Sequence, residues 1–193
     1  WIEQIDTNVL PLVSKRIINN TCKILNFNYT DTLERAYKVP AENILYIHGK
    51  ALSSKKLVVG HHDISTFQYG AVSPFNAAEE HGIYIQDDDE DFRITETKEI
   101  IKAYFQKTYK DTFGIIQMNQ NFFDSLININ EIFILGHSLS SVDMDYFVEI
   151  RKRVLHSCKW YISYFSESDL DNMEYFAKRL DIKNFQPVML SNL

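Results

Sequence analysis

The sequence predicts an α/β fold: a Rossmann-like, mostly parallel sheet with helices on both faces. Apolar runs of strand length alternate with stretches of helical periodicity, most regularly from Ile132 to Leu190. The joints between these stretches are short, as is typical of parallel strands connected by helices that cover the sheet. The 193 residues are 45% hydrophobic, which suffices for one substantial core. We therefore expect a single α/β domain over residues 1–193.

The elements of the first half are predicted from local patterns. Apolar residues recur at helical spacing within residues 2–18, and Cys22–Phe27 is an apolar run of strand length. A short helix is predicted from Thr30 to Tyr37, with Thr30 as its N-cap. Two further strands are predicted at Ile44–Ile47 and Leu57–Val59. Periodicity fails between residues 61 and 92, where an irregular insertion is expected.

The second half returns to regular alternation. Helical spacing marks residues 94–105 and 115–126. Strands are then predicted at 132–135, 159–165 and 185–190, and helices at 142–155 and 169–180. Ser140 with Asp143, and Ser166 with Asp169, have the spacing of a capping box. Two helices should therefore begin near these serines.

Polar side chains follow three of the predicted strands. Asn28 follows the first strand, His48 the second, and the segment from Gly136 to Asp143 the strand at 132–135. Ligands of open α/β sheets bind beyond the carboxyl ends of the strands. Asn28 and His48 are therefore expected to face one crevice.

Asn28 and His48 each admit two interpretations. The amide of Asn28 could orient an attacking water, or it could bond to its own backbone in a turn. His48 could act as a general base, because its ordinary pKa lies near neutrality, or it could be bonded into the loop that it starts. The residues alone leave both questions open.

The segment Gly136-His137-Ser138-Leu139-Ser140 admits three interpretations. Its backbone N–H groups and the Ser138 hydroxyl could bind a phosphate or ribose at a helix N-terminus, where Asp143 could bond a ribose or favour the helix dipole. It also resembles a nucleophile elbow, although a serine hydrolase would need a later histidine, and only His156 follows Ser138. The third interpretation is an ordinary capped helix.

These segments, in this order, resemble the bacterial abortive-infection family AbiH, from Trp1-Ile2 to the strand at Trp160-Tyr161-Ile162. The family in turn resembles sirtuin-like NAD-consuming domains, on Phe27-Asn28-Tyr29-Thr30, His48-Gly49 and Gly136-His137-Ser138-Leu139. Thr30 and His137 depart from that pattern, which has Asp and Thr there.

The resemblance implies antiphage defence and hydrolysis of NAD. The bacterial protein is expected in the cytoplasm, because Cys22 and Cys158 lie on apolar strand-like runs and are expected to be reduced core thiols. Asn28 would position water, His48 would be the base, and Glu34 would buttress the turn. Residues that would contact NAD, as substrate or ligand, are Tyr29, Gly49, Gly136, Ser138 and Asp143. Alternatives are a non-enzymatic nucleotide-sensing or protein-binding defence component, and a serine hydrolase.

Members of the family typically begin with a strand ending in G-N-G-F-D, which resembles a phosphate-binding turn and is absent from this sequence. We therefore expect that turn in an upstream segment of the same protein, and expect residues 1–193 alone to be catalytically inert. An unpaired sheet edge would favour self-association into a homo-oligomer.

Composition and charge argue against several other classes of binding partner. The net charge of −6 argues against a general nucleic-acid surface, and no run approaches the length of a membrane span. No metal is expected: His61-His62-Asp63 has no second cluster at ligand spacing, and the acidic run at 87–91 lacks the glycine of a calcium loop. A small nucleotide is the expected ligand.

Overall fold

A computed structural model describes residues 17–54, 57–60, 100, 103 and 109–190. The chain divides into two units, residues 1–58 with 112–193, and residues 59–111. The elements described below belong to the first unit. The predicted insertion at 61–92 lies outside the described residues, and so do the predicted helices within 2–18 and 94–105 except for residues 17, 18, 100 and 103.

The described strands form two parallel sheets. They are β1 (Ile24–Asn26), β2 (Ile44–Tyr46), β3 (Glu131–Ile134), β4 (Lys159–Tyr164) and β5 (Phe185–Met189). β1 pairs with β2, and β4 lies between β3 and β5. The α/β class and the parallel direction are confirmed. Within the described residues no backbone pairing joins β1–β2 to β3–β4–β5, so a single continuous sheet is not seen there.

Five α-helices are described. They are α1 (Thr32–Arg35), α2 (Thr112–Met118), α3 (Gln120–Asp124), α4 (Met144–Arg153) and α5 (Ser168–Arg179). Short 3₁₀ turns precede β2 at Ala41–Asn43 and α4 at Ser141–Asp143. The helix predicted over 115–126 is two helices, α2 and α3. Among the described residues no helix is long and apolar enough to cross a membrane.

Two local predictions in the first half are wrong. The helix predicted over 30–37 is the single turn α1, and Asp31 rather than Thr30 occupies the N-cap position. Thr30 instead places its hydroxyl 3.0 Å from that of Thr32. The strand predicted at Leu57–Val59 does not form, although the Val58 N–H does bond to the His48 carbonyl at 2.8 Å. A single backbone hydrogen bond is not enough to pair this segment with β2 as a strand.

The core lies around β4, whose residues Trp160 and Ile162 are buried. Phe176 of α5 is fully buried and contacts the Trp160 ring edge-on, with 6.4 Å between centroids. Phe147 of α4 contacts Phe176 on one side and stacks on Phe27 on the other. Aromatic packing therefore connects the β3–β4–β5 sheet with the end of β1.

Only half of the capping box predicted for Ser166 and Asp169 is present at the start of α5, where Glu167 occupies the N-cap position without a side-chain capping bond. The Asp169 carboxylate accepts hydrogen bonds from the Phe165 and Ser166 N–H groups, each at 3.0 Å, and from the Ser166 hydroxyl. The backbone bonds to Ser166 and Phe165 lower the pKa of Asp169. At the other predicted box, Ser140 makes no side-chain capping bond, and its carbonyl accepts the Asp143 N–H instead.

Candidate functional site

The turn after β1 is built by Asn26 rather than Asn28. Asn26 is buried, and its side-chain oxygen accepts the Asn28 N–H at 3.0 Å, while its amide group donates to the Thr30 carbonyl at 3.5 Å. An Asn side chain bonded to the backbone two residues on is a recurrent turn-forming device. Asn28 is therefore held by its backbone, and as a residue it is exposed.

The segment after β2 is tied to the ends of both strands of the first sheet. Tyr29 accepts the Ala51 N–H at its carbonyl and donates its hydroxyl to the Val58 carbonyl, both at 2.8 Å. Burial, and then the charge of Asp143, raise the pKa of Tyr29. Gly49 has a φ of 89°, a backbone conformation that favours glycine. Tyr29 and Gly49 thus shape this segment.

His48 lies under this segment with only 7% of its side chain exposed. Its Nε2 is 3.4 Å from Oδ1 of Asp143 and makes no hydrogen bond within the described part of the chain. The imidazole contacts Phe27 edge-on and Tyr146 at a tilt, with centroid distances of 5.5 and 5.7 Å. A buried imidazole therefore faces a carboxylate among aromatic rings.

The turn after β3 brings a second histidine to the same carboxylate. His137 Nε2 is 3.4 Å from Oδ2 of Asp143, while His137 Nδ1 accepts the Leu139 N–H at 2.9 Å. Both Gly136 and Leu139 have positive φ, 62° and 56°. The Gly136 N–H donates to the Ser163 hydroxyl at 2.8 Å and fixes the turn against β4.

His48, His137 and Asp143 form what we call the histidine–aspartate cluster. Its members come from the end of β2, the turn after β3 and the start of α4. Phe27, at the end of β1, contacts both imidazoles, with centroid distances of 5.5 Å to His48 and 4.5 Å to His137. The ends of β1, β2 and β3 thus converge on one buried site. Asn28, which is expected to face one crevice with His48, is exposed and is not a member of this cluster.

The remaining predicted ligand-binding residue, Ser138, is exposed in the turn after β3. The N–H groups of Gly136 and Leu139, which are expected from the sequence to bind a phosphate, already donate hydrogen bonds within the protein. The predicted phosphate cradle therefore lacks these two donors. Any ligand contact of this turn would have to come from its other groups.

The structure does not assemble a serine hydrolase from Ser138 and His156. Ser138 precedes α4, whereas His156 follows it and contacts Arg151. α4 has ten residues, and a helix of that length spans about 15 Å. His156 therefore lies at the wrong end of the helix to activate Ser138.

An open cavity of about 260 Å³ lies beyond β1 and β2. It is lined by Tyr29, Thr30, Asp31, Arg35, Lys50, Ala51, Leu52 and Ser53. Glu34, predicted to buttress the turn after β1, forms a salt bridge with Lys50 and so links α1 to the segment after β2. Burial, followed by the charge of Glu34, raises the pKa of the neighbouring Tyr46 to about 12.

Within residues 17–54, 57–60 and 109–190, no three His, Cys, Asp or Glu side chains are placed so that they could hold a metal ion. His61-His62-Asp63 and the acidic run at 87–91 lie outside the described residues. Imidazole and carboxylate side chains also serve proteins as acid–base groups, and the two imidazoles lie 3.4 Å from the carboxylate oxygens of Asp143, beyond the usual hydrogen-bond range.

Two residues of the site have roles that the sequence does not reveal. One interpretation of the sequence gives Asn28 the role of forming the turn, but Asn26 has that role in the structure. The sequence feature that could have indicated it is an Asn at the last position of a strand, where its side chain can accept the N–H of the residue two positions on. His137 stands out in the sequence only as a departure from a motif. Its partner Asp143 lies six residues on, across a 3₁₀ turn whose geometry the sequence does not show.

Comparison with protein families gives a match to the family described as "Bacteriophage abortive infection AbiH", over residues 1–164. This range includes β1 to β4 and every residue of the histidine–aspartate cluster. Neither a curated protein nor a solved structure matches the chain.

Proposed function

This chain belongs to the AbiH family of bacteriophage abortive-infection proteins, and from that premise we propose that it acts by hydrolysing NAD at the ends of β1, β2 and β3. Abortive infection stops phage multiplication at the expense of the infected cell, and depletion of NAD would have that effect. The proposal assigns the histidine–aspartate cluster to the chemistry.

The pairing of His48 with Asp143 carries this proposal. An imidazole whose orientation is set by a carboxylate is the usual arrangement of a general base. His48 is buried, and its Nε2 has no hydrogen bond within the described residues although it lies 3.4 Å from the carboxylate. Buried polar atoms normally have partners, so an exception at the end of a strand supports a functional role.

The reaction needs one water and no second reactant. Water oxygen forms a bond to the ribose carbon as the bond from that carbon to the nicotinamide nitrogen breaks, and neutral nicotinamide leaves with the bonding electrons. The proton lost by the water passes to Nδ1 of His48, because Nε2 is the ring nitrogen beside Asp143. Asn28, exposed at the neighbouring strand end, would hold the water, and Asp143 would stabilise positive charge that develops on the ribose.

Nicotinamide release by the complete protein, rather than by residues 1–193 alone, tests the proposal. His48→Ala and Asn28→Ala should each lower turnover by about 10²–10⁴-fold, the usual cost of losing a positioned acid–base group. His156→Ala is the matched control, because His156 is exposed beyond the far end of α4. Ser138→Ala should raise KM more than it lowers kcat.

Two outcomes would contradict the proposal: no release by the complete wild-type protein, or full release by its His48→Ala variant. Labelling of wild type, but not of Ser138→Ala, by a fluorophosphonate would instead support a serine hydrolase.

A second candidate is a nucleotide sensor without turnover. The 5% exposure of His48 favours it, because a substrate must reach a nearly enclosed base. NAD binding measured by calorimetry, with no nicotinamide released over hours, would identify this case.

A further inference from the structure

We propose that His137 is a positioning residue: its Nε2–H faces Asp143 and the attraction between them fixes the carboxylate that orients His48. This inference rests on the proposed function for its catalytic consequence. Its structural part, the protonation and orientation of two histidines, can be measured without any turnover.

The tautomer of His137 follows from its backbone partner. Nδ1 accepts the Leu139 N–H at 2.9 Å, so Nδ1 carries a lone pair and the proton of the neutral ring lies on Nε2. That proton is on the side of Asp143, whose Oδ2 is 3.4 Å away. The Leu139 side chain is buried, which anchors the donating N–H.

Asp143 uses a different oxygen for each imidazole. Oδ2 is nearest to His137 and Oδ1 to His48, both at 3.4 Å. A lone pair on His48 Nε2 would be repelled by Oδ1, so the favoured neutral ring of His48 also carries its proton on Nε2. The lone pair of His48 is then on Nδ1, which becomes the basic nitrogen.

Aromatic packing restricts rotation of His137. Its ring lies edge-on to Phe27 and Phe147, with centroid distances of 4.5 and 5.1 Å. Phe27 also contacts the His48 ring. A change at His137 is therefore transmitted to His48 through Asp143 and through Phe27, and the variants must separate these two routes.

Nitrogen-15 NMR of the histidine rings in the 193-residue chain tests the structural part. Wild type should show both His137 and His48 protonated on Nε2 at neutral pH. His137→Leu keeps an apolar side chain against Phe27 but removes the donor, and should give a mixture of His48 tautomers. His137→Gln restores an N–H at a similar reach and should return His48 to one tautomer.

Turnover tests the catalytic part. His137→Leu should lower kcat for nicotinamide release by about 10–100-fold with KM nearly unchanged, the usual effect of losing a partner that orients a functional histidine, and His137→Gln should recover most of it. A wild-type His137 protonated on Nδ1, or an unchanged His48 spectrum in His137→Leu, would overturn the inference. Absence of nicotinamide release in wild type with the NMR results as expected would overturn only the proposed function.

Discussion

At the scale of single residues, two asparagines two positions apart have different environments. Asn26 is 7% exposed and satisfies the backbone on both sides of the turn, whereas Asn28 is exposed. Their sequence context gives no reason to separate them, because each follows an apolar residue at the end of a strand. Burial, which depends on tertiary packing, makes the difference.

This difference predicts opposite stability effects. Asn26→Ala should destabilise the protein by about 1–3 kcal/mol, because the Asn28 N–H loses its acceptor in a partly buried turn. Asn28→Ala should change the free energy of unfolding by less than about 0.5 kcal/mol. Urea denaturation of both variants makes the comparison, and equal effects would show that Asn26 does not organise the turn.

At the scale of secondary-structure elements, the sequence predicts the second half best. The predicted strands at 132–135, 159–165 and 185–190 correspond to β3, β4 and β5 within one residue at each end, and the helices at 142–155 and 169–180 to α4 and α5 within two. These elements have long periodic patterns. The prediction for α1 is too long, because four helical residues are too few for a period to show.

The cap of α5 predicts a pH effect. The folded-state pKa of Asp169 is lowered from 3.8, so the unfolded chain binds more protons than the folded one as the pH falls. The stabilisation by Asp169 is therefore fully present above about pH 3.8 and is lost as pH falls through the lowered folded value.

Asp169→Asn should accordingly lower the urea midpoint at pH 6. In acid, the urea midpoints of the variant and of the wild type should become equal. Asp171→Asn is the matched control, because Asp171 lies in the same first turn without the capping bonds of Asp169. A pH-independent difference between Asp169→Asn and wild type would contradict the assigned role of the charge.

At the scale of the whole molecule, one aromatic core underlies both sheets. Phe176 is fully buried, and its neighbour Tyr175 on α5 is 62% exposed. Phe176→Ala should cost about 3–5 kcal/mol, a large share of a domain's stability, since truncation leaves a cavity beside Trp160 and Phe147.

Tyr175→Ala should cost about 0.5 kcal/mol or less. Thermal unfolding monitored by circular dichroism measures both variants. If Tyr175→Ala lowered the stability as much as Phe176→Ala, the face of α5 that carries Tyr175 would have to be buried as well.

The convergence of three strand ends on one buried site is predictable from the sequence only in part. The carboxyl ends of parallel strands predict that Asn28, after β1, and His48, after β2, face one crevice. Which side chains meet depends on the turns: the positive φ of Leu139 directs its N–H to His137, and the 3₁₀ turn before α4 places Asp143 between two imidazoles. A leucine gives no sequence signal of a positive φ, and the serines before Asp143 give no sequence signal of a 3₁₀ turn.

The most direct test of the central claim measures NAD in phage-infected bacteria that produce this protein. With wild type, intracellular NAD should fall after infection while nicotinamide accumulates and phage yield drops. With His48→Ala at equal abundance, NAD should stay at the level of uninfected cells and phage yield should recover. Protection by wild type with no fall in NAD would contradict the claim.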